Sequence, residues 1–152
     1  MDRIKVKIGG IVLQVSSSKP ILKFRLKEGH TFFRTTECPD IEFKTYFNHQ
    51  LPKLNLKKLI FETEGAWSLY QFDGHYIFKT PSDALPERIA VLDRDFKKGR
   101  IFIDPQGLNS DCLGYPLWYP LDELLLINIL SKRMGLLVHG CGVNYKEKGL
   151  LF

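Results

Sequence analysis

A chain of 152 residues that is 44% hydrophobic, 26% charged and 12% aromatic is long enough to bury one core without disulfide or metal staples. That composition excludes disorder, collagen and a coiled coil, and no apolar run approaches the ~18 residues of a membrane-spanning helix. The net charge of +5 is uneven: residues 1–58 carry 12 basic and 5 acidic side chains, and residues 59–152 carry 10 and 12.

Ile4, Val6 and Ile8 alternate with Arg3, Lys5 and Lys7, the period of a half-buried strand. Charged and apolar residues that alternate from Met1 onward are unlike a signal peptide. Gly9-Gly10 turns the first strand into a second at Ile11–Val15. Ser16–Ser18 and Pro20 supply helix-start chemistry for a short element at residues 21–26, ended near Gly29, although a strand fits there equally. Pro39-Asp40 introduces a strand over Ile41–Phe47. Another strand covers Leu59–Glu64, and Trp67–Phe72 and His75–Phe78 flank Asp73-Gly74. That dipeptide fits a two-residue type I′ hairpin, because both turn positions need φ > 0. Arg88–Leu92 and Arg100–Asp104 form a further hairpin through Asp93–Gly99. Strands at such spacing, joined by turns, predict a mainly antiparallel β meander.

From Pro116 the pattern changes. Pro120 suits a first helical turn, Asp122 and Glu123 its positive end, Lys132 and Arg133 its negative end, and Gly135 the residue just past it. Leu121, Leu124, Leu125, Ile127, Ile129, Leu130 and Met134 leave almost no polar face, which predicts burial on most sides. Leu136–Tyr145, a polar turn at Lys146–Gly149 and Leu150–Phe152 read as a closing hairpin whose second strand is cut short. The predicted class is therefore α+β: an antiparallel meander, one long buried C-terminal helix, then a β-hairpin. Residues 1–115 form a β-rich N-terminal module, and residues 116–152 the beginning of a second unit.

Lys5, Lys7, Lys23, Arg25, Lys27 and Lys44 alternate with apolar residues. In the absence of a recognised binding motif they read as a solvated face rather than a nucleic-acid groove. Cys38, Cys112 and Cys141 are odd in number and far apart, without CxxC, which points to a reducing cytoplasm. His30, His49, His75 and His139 show no metal-ligand spacing, so no metal site is predicted.

The stretch Leu136-Leu-Val-His139-Gly-Cys-Gly-Val143, preceded by an apolar helix and followed by a turn at Gly149, resembles the HPr kinase/phosphorylase superfamily. Its members share a nucleotide-binding core with phosphoenolpyruvate carboxykinases. Ile8-Gly-Gly10 and Pro39-Asp40-Ile41 look like the leader region of HPr-kinase-related proteins in bacterial gene clusters. In this family a His-Gly pair, a strand, a turn and a second strand lead into the phosphate-binding loop G-x-S-G-x-G-K-[ST]. On that register the loop would begin about two residues beyond Phe152. The resemblance implies a serine kinase or phosphotransferase whose catalytic histidine is His139, with ATP and Mg²⁺ expected only where the loop is present. It also implies a protein or peptide phosphoacceptor.

For the residues themselves, His139 also fits a hydrogen-bonded histidine at a strand start. No Gly-Lys-Ser or Gly-Lys-Thr occurs in the chain, and Gly9-Gly10 and Gly140–Gly142 lack the lysine of a phosphate cradle. The chain alone is therefore expected not to be catalytic and to bind no cofactor. Asp93 and Asp95 fit a turn better than a Mg²⁺ pair. Glu62, Glu64 and Asp73 fit an exposed strand face, and the Trp67–Phe78 aromatics fit cross-strand packing. Cys141 beside His139 need not be a nucleophile, since residues i and i+2 of any strand share a face. The alternative is a self-contained, non-catalytic β-rich module that binds protein or peptide and forms a homo-oligomer through its apolar helix.

Overall fold

The computed structural model describes residues 3–18, 24, 28–47, 58–80, 87–105, 115–117, 119–138 and 140–151. Eight strands make one large, mainly antiparallel sheet: β1 (Arg3–Ile8), β2 (Ile11–Ser17), β3 (Ile41–Phe47), β4 (Lys58–Glu62), β5 (Ser68–Phe72), β6 (His75–Thr80), β7 (Arg88–Leu92) and β8 (Lys98–Ile103). Among the described residues there are two helices, α1 (Glu28–Thr31) and α2 (Leu121–Lys132). A separate two-stranded hairpin follows, β9 (Gly142–Tyr145) and β10 (Lys148–Leu151). The short element expected at residues 21–26 lies outside the described residues except for Phe24, and α1 covers Glu28–Thr31.

The sheet order is β1-β2-β3-β8-β7-β6-β5-β4. The meander holds from β4 to β8 and in the β1–β2 hairpin, but β3 departs from it. It inserts between β2 and β8 and runs parallel to both. Local turn chemistry sets the antiparallel pairs: Gly9 and Gly10 at φ 57° and 77°, and Asp73 and Gly74 at φ 47° and 71°, carry the tight turns. The parallel pairs need crossovers, which no dipeptide announces. Asp40 anchors one of them at the start of β3. Its carboxylate accepts from Val12 N at 2.9 Å, its own N–H donates to Val12 O at 2.9 Å, and Arg133 Nη2 lies 3.4 Å from its other oxygen.

One sheet face carries the main core. Ile4, Val6, Leu13, Val15, Ile41, Phe43, Phe78, Ala90, Leu92, Ile101 and Ile103 pack there with Leu117, Leu121, Leu125, Leu126 and Ile129. The helix thus shares the sheet's core, each fully buried leucine or isoleucine contributing roughly 1.5–3 kcal/mol. Burial is one-sided: Ile127 is 49% exposed and Glu123, Ser131 and Lys132 face solvent. The expectation of burial on most sides overlooked that a single sheet gives a helix only one wall. A smaller cluster, Ile77, Ile89 and Val91 with Tyr70 and Phe102, lies on the opposite sheet face.

Past the helix, Met134 rather than Gly135 takes the left-handed conformation, at φ 57°, and Gly135 N donates to Leu130 O at 2.8 Å. A Cβ at Gly135 would stand 3.1 Å from Leu130 Cδ2, so a side chain there would require a small shift of that leucine. The final hairpin is tighter than expected, with its strand starting at Gly142 and its turn formed by Lys146 and Glu147 at φ 49° and 62°.

On β8, Gly99 leaves room for the Phe43 ring of β3. A Cβ there would fall 2.6 Å from Phe43 Cδ1 and 3.4 Å from Leu92 Cγ, both in the packed core. Gly99→Ala is expected to destabilise the fold by about 1–3 kcal/mol in urea unfolding. Phe43→Leu introduced with it should recover part of that loss, because the clash is with the ring.

Candidate functional site

A partly enclosed cavity lies beneath the first turns of α2. Val6, Ile8, Leu13, Leu117, Leu125 and Leu126 form its apolar wall, and Phe33, His30, Tyr115 and Asp122 close it. Each polar group arrives from a different element: His30 from α1, Tyr115 from the segment before α2, and Asp122 from its first turn. The His30 and Tyr115 rings are 5.6 Å apart, tilted by 52°. His30 Nδ1 is buried without a hydrogen-bond partner among the described residues.

The cavity shifts its acids upward. Desolvation raises the Asp122 carboxyl above the ordinary aspartate range, opposed by the Glu123 backbone N–H that it accepts at 2.9 Å. Desolvation likewise pushes the Tyr115 hydroxyl up, and the neighbouring Asp122 charge adds to it. The cavity is small, near 40 Å³, and its wall is mostly apolar. In the sequence Asp122 reads only as a helix-dipole partner. Nothing local signals a pocket whose walls come from β1, β2, α1 and α2.

His139, the catalytic residue implied by the family resemblance, lies outside the described residues. Its neighbours Val138, Gly140 and Cys141 are exposed. Cys38 is an exposed free thiol, and Cys112 lies outside the described residues. The Asp93 carboxylate accepts from Lys97 N at 2.8 Å and Lys98 N at 3.1 Å, closing the β7–β8 turn around Phe96 at φ 58°. That is turn chemistry, and it occupies the oxygens a cation would need. Glu62 lies on the exposed edge strand β4, and Asp73 in the β5–β6 turn. Trp67 packs against Phe61 and Phe78, and Tyr76 stacks on Phe96, so this part of the aromatic hairpin serves packing. Among the described residues no group of three or more His, Cys, Asp or Glu side chains is arranged to hold a metal ion. No helix among them is long and apolar enough to cross a membrane.

The glycine runs do not fit a nucleoside triphosphate. Gly9-Gly10 closes a hairpin and Gly142 opens a strand, so neither leads into a helix N-terminus that would hold a phosphate. Sequence reasoning also missed Arg88, which is 1% exposed on the core side of β7 and donates from Nη2 to Tyr119 O at 3.0 Å. A charge at a strand start ordinarily faces water, so its burial has no local signal.

Comparison with protein-family models, with curated proteins and with solved structures finds no match to this chain.

Asp122 binds its proton more tightly in the fold than in the unfolded chain. Its contribution to stability is thus complete below the unfolded pKa and lost as pH rises through the higher folded value. Asp122→Asn, which keeps the acceptor oxygen, should melt above the parent at pH 7. The two melting curves should converge below about pH 4, as scanning calorimetry across that range would show.

Proposed function

We propose that this chain is the N-terminal region of an HPr-kinase-like serine phosphotransferase. In this reading residues 1–115 are a substrate-selecting accessory module, and residues 116–152 begin the nucleotide-binding core. The helix that covers the sheet is then the first element of that core, docked on the module it serves. His139 would act on the phosphoacceptor serine of a protein or peptide only within the longer protein. ATP and Mg²⁺ would be held by a loop beyond the present sequence, in a cytoplasmic setting.

One observation carries the reading. The helix is followed by a hairpin whose apolar side chains stay largely uncovered among the described residues: Val143, Tyr145, Leu150 and Leu151 are 51%, 59%, 45% and 63% exposed, and Met134 and Leu136 before them 98% and 75%. A two-stranded hairpin is marginal by itself, and apolar residues on it call for further strands or another surface as cover. Its spacing from the helix matches the position where the family places the strands that feed its phosphate loop.

No step of phosphoryl transfer is assigned to the described residues, since positioning and charge neutralisation by a lysine-bearing loop carry that chemistry. Calorimetric titration of this chain with Mg-ATP should show no binding up to millimolar nucleotide. Micromolar affinity would overturn the assignment, as would a downstream gene sequence without G-x-S-G-x-G-K-[ST] in the codons after Phe152.

A second reading, a non-catalytic β-rich module that self-associates, draws on the edge strand β4, where Leu59, Ile60 and Phe61 are 49%, 45% and 52% exposed. The helix is a poorer contact for it, because Leu121, Leu125, Leu126 and Ile129 already face the sheet. Sedimentation velocity would then show mass rising with concentration, and Ile60→Lys should hold the chain monomeric. Concentration-independent monomer in the parent would exclude this reading.

A further inference from the structure

The sheet register gathers the chain's cations into rows that its sequence scatters. On the face opposite α2, one row runs Arg3, Ser16, Lys44, Arg100 across β1, β2, β3 and β8. A neighbouring row runs Lys5, Gln14, Glu42, Lys98 across the same strands. Arg3, Lys44, Lys98 and Arg100 are exposed, and none has a carboxylate within ion-pair distance among the described residues. Lys7 on the same face pairs with Glu37 at 2.7 Å, and Lys5 Nζ donates to the Glu37 carbonyl. Glu42 is the one acid in the two rows. From Arg3 to Arg100 is three strand spacings, about 14 Å. A depression of about 600 Å³ lies along this stretch, lined by Arg3, Ser16, Lys44 and Lys98 among others.

Aromatic rings adjoin the cations. Tyr46 and Phe102, two residues beyond Lys44 and Arg100 on the same face, are half-buried and stack at 5.2 Å and 19°. Lys44 Nζ stands 5.5 Å from the Tyr46 ring centre. A row of unpaired cations beside aromatic rings on a broad sheet face suits a phosphate backbone laid across the strands with a base against a ring. A duplex is the poorer fit, because paired bases are not free to stack on the Tyr46 and Phe102 rings.

We propose that this face, with Arg3, Lys44, Lys98 and Arg100 as phosphate contacts and Tyr46 and Phe102 as the stacking ledge, binds single-stranded nucleic acid. The inference is independent of the phosphotransferase reading, since it uses neither the hairpin nor His139. The salt dependence follows from the charge. Four phosphates neutralised on a single strand give a slope of about −2.8 in log K against log salt, so affinity should fall by about 10² between 50 and 250 mM.

The test is fluorescence anisotropy of the full chain with a labelled 12-nucleotide oligo-dT or oligo-U. The expected result is saturable binding at 50 mM salt with that steep slope. Lys44→Glu with Arg100→Glu should weaken binding at least tenfold, whereas Lys146→Glu with Lys148→Glu, on the distant hairpin, should change it little. Tyr46→Ala should weaken binding while leaving the salt slope unchanged, a signature that lost charge would not give. Circular dichroism melts verify that each variant folds, and Arg3→Glu with Lys98→Glu replaces the first pair if that pair fails to fold. Absence of binding at 50 mM salt overturns the proposal, as does equal loss in the hairpin control. So does an equally tight poly-glutamate peptide with no effect of Tyr46→Ala, which would make the face a site for acidic protein segments.

Discussion

One helix covers one side of an eight-stranded sheet, and most of the molecule follows from that asymmetry. Leu121, Leu125, Leu126 and Ile129 give the inner face its apolar cover, so β1, β2, β3, β7 and β8 present apolar residues on alternate positions towards that side. The outer face has no described helix and divides in two. On β1, β2, β3 and β8 it is polar and cationic, while on β5, β6 and β7 it keeps the small apolar group of Ile77, Ile89 and Val91. The division coincides with the place where antiparallel pairing gives way to parallel pairing, at β8.

The strands were legible because their period is local. Ile41, Phe43, Thr45 and Phe47 alternate inward from Glu42, Lys44 and Tyr46 just as the residue types suggest, and Asp73-Gly74 does sit in the left-handed region that its turn requires. What the sequence withheld was adjacency. Nothing near Phe43 announces Gly99 as its neighbour, because pairing between distant strands is decided by total burial rather than by any local residue. The regional charge count concealed the cationic face for the same reason. Lys98 and Arg100 belong to a segment whose net charge is negative, and only the β3–β8 register places them beside Glu42 and Lys44.

Site residues fared unevenly for related reasons. Asp93 was readable as a turn residue because its partners, Lys97 and Lys98, lie within five positions. The enclosure of Asp122 was not, because His30 is far from it in sequence and reaches it only through the fold. Helix amphipathicity misled in the opposite direction. A nearly continuous apolar segment predicts burial on most sides, yet Ile127 and Met134 stand in solvent and Met134 adopts a backbone conformation that glycine would take more easily.

The parallel insertion of β3 also bears on how the chain is made. During synthesis β1, β2 and β3 emerge first, but the strand that completes β3's second edge begins at Lys98, about fifty residues after Phe47. At ordinary translation rates of ~5–20 residues per second, that edge waits about 3–10 s with its backbone groups open. A nascent chain in this state carries a paired edge on one side and an adhesive one on the other. Its vulnerable period is thus set by the ribosome rather than by the stability of the finished sheet, and slowing elongation between β3 and β8 would lengthen it directly.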